Sequence, residues 1–120
     1  MKRVAVSVSD SAMREMVENL LKNLDVATIL TSSGEGTLDL LEENPEVDLL
    51  IIDNELPHMD GKNLIKNIRK LSNHAKLPII IASGPIQFHE VEELLELGAS
   101  YFVPKPISED RMKYYISKIL

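Results

Sequence analysis

Residues Leu49–Gly61 read LLIIDNELPHMDG. Four aliphatic residues, Leu49 to Ile52, run straight into Asp53. A continuous apolar run of this kind fits a strand buried on both faces, as in a parallel sheet. The strand cannot continue, because Pro57 lacks the N–H that a ladder needs and Asp60-Gly61 is turn chemistry. Asp53 is therefore expected at the C-terminal end of a central strand. In open parallel sheets that edge is where ligands bind.

Working outward, the same grammar repeats. Val4, Val6 and Val8 alternate with Ala5, Ser7 and Ser9, which reads as a first strand. Asp10 or Ser11 can cap a helix whose Met13, Met16, Val17, Leu20, Leu21 and Leu24 share one face. Val26–Leu30 reads as a second strand, and a helix with Leu38, Leu40 and Leu41 follows, ended by Asn44-Pro45. Val47–Ile52 is the central strand, and Leu64, Ile65, Ile68 and Leu71 mark the next helix. Ile79–Ala82 is a fourth strand, broken by Ser83-Gly84-Pro85. Val91, Leu94, Leu95 and Leu97 mark a helix closed by Gly98. Tyr101–Val103 is the last strand, and Ile107 leads into a helix with Met112, Ile116 and Ile119. Strand and helix thus alternate five times, which predicts an α/β fold with helices on both faces of a parallel sheet.

Composition narrows the function. The 120 residues suffice for one domain with one core, with 44% hydrophobic and 27% charged residues. No apolar run approaches the roughly 18 residues of a membrane span. The start MKRVAVSVSD is too short and polar in its apolar part for a signal peptide. There is no cysteine, hence no disulfide and no thiolate metal site. A net charge of −6 argues against a nucleic-acid surface. A cytoplasmic location is expected. His58, His74 and His89 show no metal-ligand spacing and read as surface residues.

Three polar residues stand at strand ends: Asp53, Ser83 and Lys105, the last directly before Pro106. By residue type alone each has a plain reading, as a capping aspartate, a turn serine and a solvated loop lysine. Order and spacing add to this. A strand, Asp53, then Leu56, Pro57, Met59, Asp60, Gly61 and a helix resembles the phosphoacceptor region of response-regulator receiver domains of two-component signalling. Ser83 and Lys105-Pro106 lie at matching distances, and the resemblance covers residues 1–120 as one receiver domain.

The resemblance implies a flavodoxin-like (βα)5 doubly wound sheet of order 2-1-3-4-5, an order that pattern alone cannot choose. It implies that Asp53 is the phosphoacceptor, that Ser83 donates to the phosphoryl group, and that Lys105 supplies a cation. The Lys105–Pro106 bond is expected to be cis. Ser83 and Phe102 are the implied switch pair, the ring moving inward as Ser83 shifts. The implied partners are a histidine kinase or phosphotransfer protein, and an output protein or an effector domain absent from this chain. The output side is expected to use helix 4, strand 5 and helix 5. The chain reads as stand-alone or excised from a longer protein. It is not expected to be an enzyme beyond self-catalysed phosphoryl transfer and dephosphorylation.

One departure matters. Receivers carry two acids at the end of the first strand that hold Mg²⁺; here Val8 and Ser9 occupy those positions. Asp10 falls one residue later and can equally be the helix cap. Mg²⁺ wants octahedral oxygen ligands, often one or two carboxylates plus phosphate. Asp53, Glu55 and Asp10 are the remaining candidate ligands, so weak Mg²⁺ binding is expected and no organic cofactor. Two further readings remain open. One is a pseudo-receiver serving as a phosphorylation-independent interaction module. The other is a flavodoxin-like FMN binder using Ser7–Ser11, which lacks the glycine that a phosphate loop needs.

Overall fold

A computed structural model describes residues 1–120. Its elements alternate throughout: β1 (Lys2–Ser7), α1 (Ser11–Lys22), β2 (Val26–Thr31), α2 (Gly34–Glu43) and β3 (Leu49–Asp53) make up the first half. The second half is α3 (Gly61–Arg69), β4 (Ile79–Ser83), α4 (Phe88–Glu96), β5 (Tyr101–Pro104) and α5 (Glu109–Ile119). All strand pairs are parallel, and the order is β2-β1-β3-β4-β5. This is the order that the resemblance implied. No helix is long and apolar enough to cross a membrane.

The continuous apolar runs are explained by the two cores. Successive strand residues point to opposite faces. Leu50, Ile52, Ile79 and Ile81 pack against α2, α3 and α4 through Leu40, Leu41, Leu64, Ile65, Ile68 and Leu94. Leu49, Ile51, Ile80 and Ala82 pack on the other face against Met13, Val17 and Leu21 of α1 and Met112 and Ile116 of α5. Every residue of β3 and β4 is buried, Asp53 and Ser83 included. Full burial of one such aliphatic side chain contributes about 1.5–3 kcal/mol, so β3 and β4 anchor the sheet.

Local chemistry sets the helix starts. Asp10, Ser33, Asp60 and Ser108 each accept a hydrogen bond from a first-turn backbone N–H of the helix they precede. Gly98 ends α4 with φ +116°, in the left-handed region that favours glycine. The Arg69 guanidinium donates to its carbonyl at 2.6 Å and to the His74 carbonyl at 3.0 Å, tying α3 to the start of β5.

Several expectations need correction. β3 begins at Leu49, since Val47 is buried but lies outside the ladder. β1 closes at Ser7, and Val8 continues into the core beyond it. Leu24 lies past the end of α1 and Leu95 faces outward on α4, both exposed. His74 is not a surface residue: it is 3% exposed, and its Nε2–H donates to the Leu41 carbonyl at 2.6 Å. Burying an imidazole requires such a partner. Here the partner lies at the end of α2, so the ring pins the α3–β4 connection to that helix. His58 and His89 are exposed as expected.

Buried hydroxyls take the place of apolar packing at one corner. The hydroxyl of Ser7 lies 2.8 Å from that of Thr31 and 2.7 Å from that of Thr37, which are 2.9 Å from each other. Thr37 also reaches the Ser33 carbonyl at 2.7 Å. Three hydroxyls of β1, β2 and α2 therefore satisfy one another, and Ser7 and Thr37 are fully buried.

Gly61 is the residue this packing tolerates least in changed form. A Cβ there would run into Ile81 Cδ1 and lie 2.5 Å from Asn54 Oδ1. Gly61→Ala should therefore destabilise the fold by about 1–3 kcal/mol, the usual cost of overpacking a core. Urea unfolding would show this as a lowered midpoint at unchanged slope; an unchanged midpoint would mean that the β3–α3 junction yields freely.

Candidate functional site

Parallel register brings the strand ends to one edge. Asp53 pairs with Ala82, and Ser83 with Pro104, so Asp53 and Ser83, which end β3 and β4, and Lys105, which directly follows β5, stand on the same side of the sheet. Backbone hydrogen bonds lock this alignment: Asn54 N–H donates to the Ala82 carbonyl and Lys105 N–H to the Ser83 carbonyl, each at 2.8 Å. The Lys105–Pro106 peptide bond is cis, as expected.

Asp53 is 1% exposed. Its Oδ1 accepts from Lys105 Nζ at 2.8 Å and from the Glu55 N–H at 3.0 Å. No protein group donates to Oδ2, yet no buried side-chain oxygen is left without a partner, so Oδ2 is the atom that touches solvent. Partial burial disfavours the charged form of Lys105. Hydrogen bonds to Asp53 and Glu55, together with their charge, outweigh this and hold its ammonium above the usual lysine range. The sign is that of a cation with anionic partners: the stability the ammonium contributes is present at neutral pH and is lost as alkali titrates the amine.

Glu55 stands across from Asp53. Its carboxylate accepts from Gly84 N–H at 2.9 Å, from Lys105 Nζ at 3.2 Å and from the Ser83 hydroxyl at 3.2 Å. The Ser83 hydroxyl also lies 2.9 Å from the Gly84 carbonyl, and it accepts from Asn54 Nδ2 at 3.1 Å. The other end of the Asn54 amide accepts from Gly61 N–H at 2.9 Å. Asn54 thus bridges the serine to the start of α3. His58, in the same loop, holds φ 64°. Phe102 is half-buried, pairs with Ile81 in the sheet and packs against the α2–α4 core.

The structure gathers Asp53, Ser83, Lys105 and Glu55, and does not bring Asp10 to them as a ligand. Asp10 is exposed, and its side chain caps α1 by accepting from Ala12 N–H at 3.1 Å. Val8 is fully buried in the α1–α5 core, its carbonyl taken by Arg14 Nη2 at 2.9 Å. Ser9 is exposed. No three His, Cys, Asp or Glu side chains converge on a position that could hold a metal ion. The two carboxylates at the site, Asp53 and Glu55, are both engaged by the Lys105 ammonium, which stands where a cation would have to compete for them. Asn54 and the Gly84 N–H are the participants that sequence reasoning passed over. For Asn54 a signal existed, in an amide directly after the strand-ending aspartate.

The site is thus an ammonium, a hydroxyl and a backbone N–H facing a buried carboxylate with one free oxygen. Such donors stabilise anionic charge building up on a transferring group. The chain is similar to known proteins along its whole length. A Campylobacter jejuni chemotaxis protein, a CheY homolog, is 31% identical over 121 residues, spanning 100% of this chain and 92% of its own length. The 3',5'-cyclic-nucleotide phosphodiesterase regA of Dictyostelium discoideum is 27% identical over 120 residues; 98% of this chain is covered but only 15% of the phosphodiesterase. The receiver domain of a Pseudomonas aeruginosa sensor histidine kinase superposes with a TM-score of 0.86 at 19% identity, covering 98% of this chain and 96% of its own, and holds a magnesium ion in its active-site cleft. The family model of the response regulator receiver domain matches residues 7–117. With strand order, strand-end register and the family match in agreement, the chain belongs to the response regulator receiver domains, the signalling modules of two-component phosphorelays.

Proposed function

We propose that Asp53 accepts the phosphoryl group and that residues 1–120 work as one receiver unit in the cytoplasm. The observation that carries this is the unequal state of the two Asp53 oxygens. Lys105 and the Glu55 N–H hold Oδ1, which fixes the carboxylate, while Oδ2 is left free to attack. With a phosphohistidine of a kinase or phosphotransfer protein as donor, Oδ2 forms the new bond to phosphorus. The P–N bond breaks, and the leaving imidazole keeps its electron pair and takes up a proton. Lys105, the Ser83 hydroxyl and the Gly84 N–H are placed to receive the phosphoryl oxygens, the positioning and charge stabilisation on which phosphoryl transfer depends. Phosphorylation then replaces the single carboxylate charge by a phosphoryl group carrying about −1.5 to −2, which draws Ser83 and Lys105 toward it. Phe102, next to β4 in register, follows Ser83 and changes the face made by α4, β5 and α5, which output partners would read.

Intact mass after incubation with acetyl phosphate tests the assignment. Wild type should gain one phosphoryl increment and Asp53→Asn none; an increment retained in the variant would place the site elsewhere. Lys105→Ala should keep the fold, by circular dichroism, yet break the link between phosphorylation and response. Amide shifts around Phe102 should then stay near their resting values in the phosphorylated variant, and a full wild-type shift pattern would make Lys105 a bystander.

The metal enters the proposal as a weak ligand. Val8 and Ser9 supply no carboxylate, and the Lys105 ammonium opposes a cation beside Asp53. Ser9→Asp should restore a hard-oxygen ligand and tighten Mg²⁺ binding about 10- to 100-fold, where each tenfold corresponds to about 1.4 kcal/mol. Calorimetric Mg²⁺ titration of both proteins decides: equal affinities would show that position 9 does not face the cation.

A further inference from the structure

The side chain of Glu55 lies within hydrogen-bond distance of three donors: the Gly84 N–H at 2.9 Å, the Lys105 ammonium at 3.2 Å and the Ser83 hydroxyl at 3.2 Å, the last shared with the Gly84 carbonyl. Those are a backbone N–H, a hydroxyl and a cation, from the ends of two different strands. They are also the groups placed to take the oxygens of a phosphoryl group on Asp53. We propose that Glu55 is an internal stand-in for that group, an anion of the chain's own that fills the phosphoryl-oxygen positions in the resting protein and is exchanged for the phosphoryl group on phosphorylation. This rests on the reading of Asp53 as phosphoacceptor.

Two observations argue for exchange over coexistence. The donors are few and already used: the single N–H of Gly84 cannot serve a phosphoryl oxygen while serving Glu55, and the single O–H of Ser83 is shared between Glu55 at 3.2 Å and the Gly84 carbonyl at 2.9 Å. A phosphoryl group would also bring a second, larger negative charge to the ammonium that Glu55 shares with Asp53. The Glu55 side chain can leave without opening the core, being 49% exposed where that of Asp53 is 2% exposed. Release swings Glu55 outward at the start of the loop running through Leu56, Pro57 and His58, so the exchange of anions also moves charge on the surface next to the site. The carboxylate thus screens the donors from free anions and raises the threshold for phosphorylation.

The test uses the full chain as wild type, Glu55→Gln and Glu55→Ala, with circular dichroism to confirm folding. Inorganic phosphate is titrated while the Gly84 amide is followed by NMR, and the rate of mass gain from acetyl phosphate is measured. Both variants should bind phosphate at least tenfold more tightly than wild type and take up the phosphoryl group about tenfold faster at subsaturating donor. Mass gain on Asp53 with equal rates and equal phosphate affinity in all three proteins would overturn the stand-in role while leaving the phosphoacceptor intact. Tighter phosphate binding by the variants with no mass gain in any protein would do the reverse, upholding Glu55 as the internal anion and removing Asp53 as acceptor.

Discussion

A carboxylate withdrawn from water at the end of an apolar strand has to be matched, and in this protein Lys105 does it. Asp53 closes a strand whose other members are Leu49, Leu50, Ile51 and Ile52, all fully buried. Removing one partner of a buried pair leaves a charge with no solvent to stabilise it, a loss of about 3–5 kcal/mol where burial is complete. Much of the architecture follows from keeping that pair together. Lys105 directly follows β5, a strand two places from β3, so its four-carbon stem crosses the end of β4 to reach Asp53. Only a sheet in which β3, β4 and β5 end level allows this, and the backbone bonds from Asn54 and Lys105 across β4 set that level.

The two carboxylates that share this ammonium are not equivalent. Glu55 is half exposed, and an ion pair of that kind contributes little, about 0–1 kcal/mol, and is screened by salt. Asp53 cannot leave, because β3 holds its backbone in the centre of the sheet. One partner is therefore fixed by the fold and the other is held only by its hydrogen bonds. Burial, more than charge, decides which carboxylate is permanent and which is replaceable.

The parts of the fold that sequence displays are those in which one residue type has one physical consequence. The unbroken apolar runs at Leu49–Ile52 and Ile79–Ala82 fit interior parallel strands, and they are such strands. Asp53 and Ser83 were legible because each directly follows such a run, and Lys105 because it stands before a proline just past the last strand. The features that stayed hidden depend on partners far along the chain. His74 looked like a loop histidine because its acceptor, the Leu41 carbonyl, is 33 residues away and is backbone, which no side-chain pattern reveals. Ser7 looked like the polar member of an alternating strand, yet both faces of β1 are covered, and Ser7 is buried because Thr31 and Thr37 bring hydroxyls to it. Glu55 carried a carboxylate in reach of the site, but only the register of β4 shows that Gly84 and Ser83 stand ready to bind it.

The hydroxyl triangle at the β1–β2–α2 corner gives the sheet a stiff end and a compliant end. On that side β1 and β2 are paired over six positions, and the ring of Ser7, Thr31 and Thr37 rivets both strands to a helix. On the other side β5 pairs over four positions and is held to α5 by stacking of Tyr101 on Tyr115, with centroids 4.2 Å apart. A load applied at the end of β3 meets a frame that resists on one side and gives on the other. Stacked rings can slide by small amounts, whereas a closed set of buried hydrogen bonds must break before it moves. The two edges of the sheet are thus fastened by different means, β2 by a closed set of hydroxyls and β5 by a ring laid on a ring.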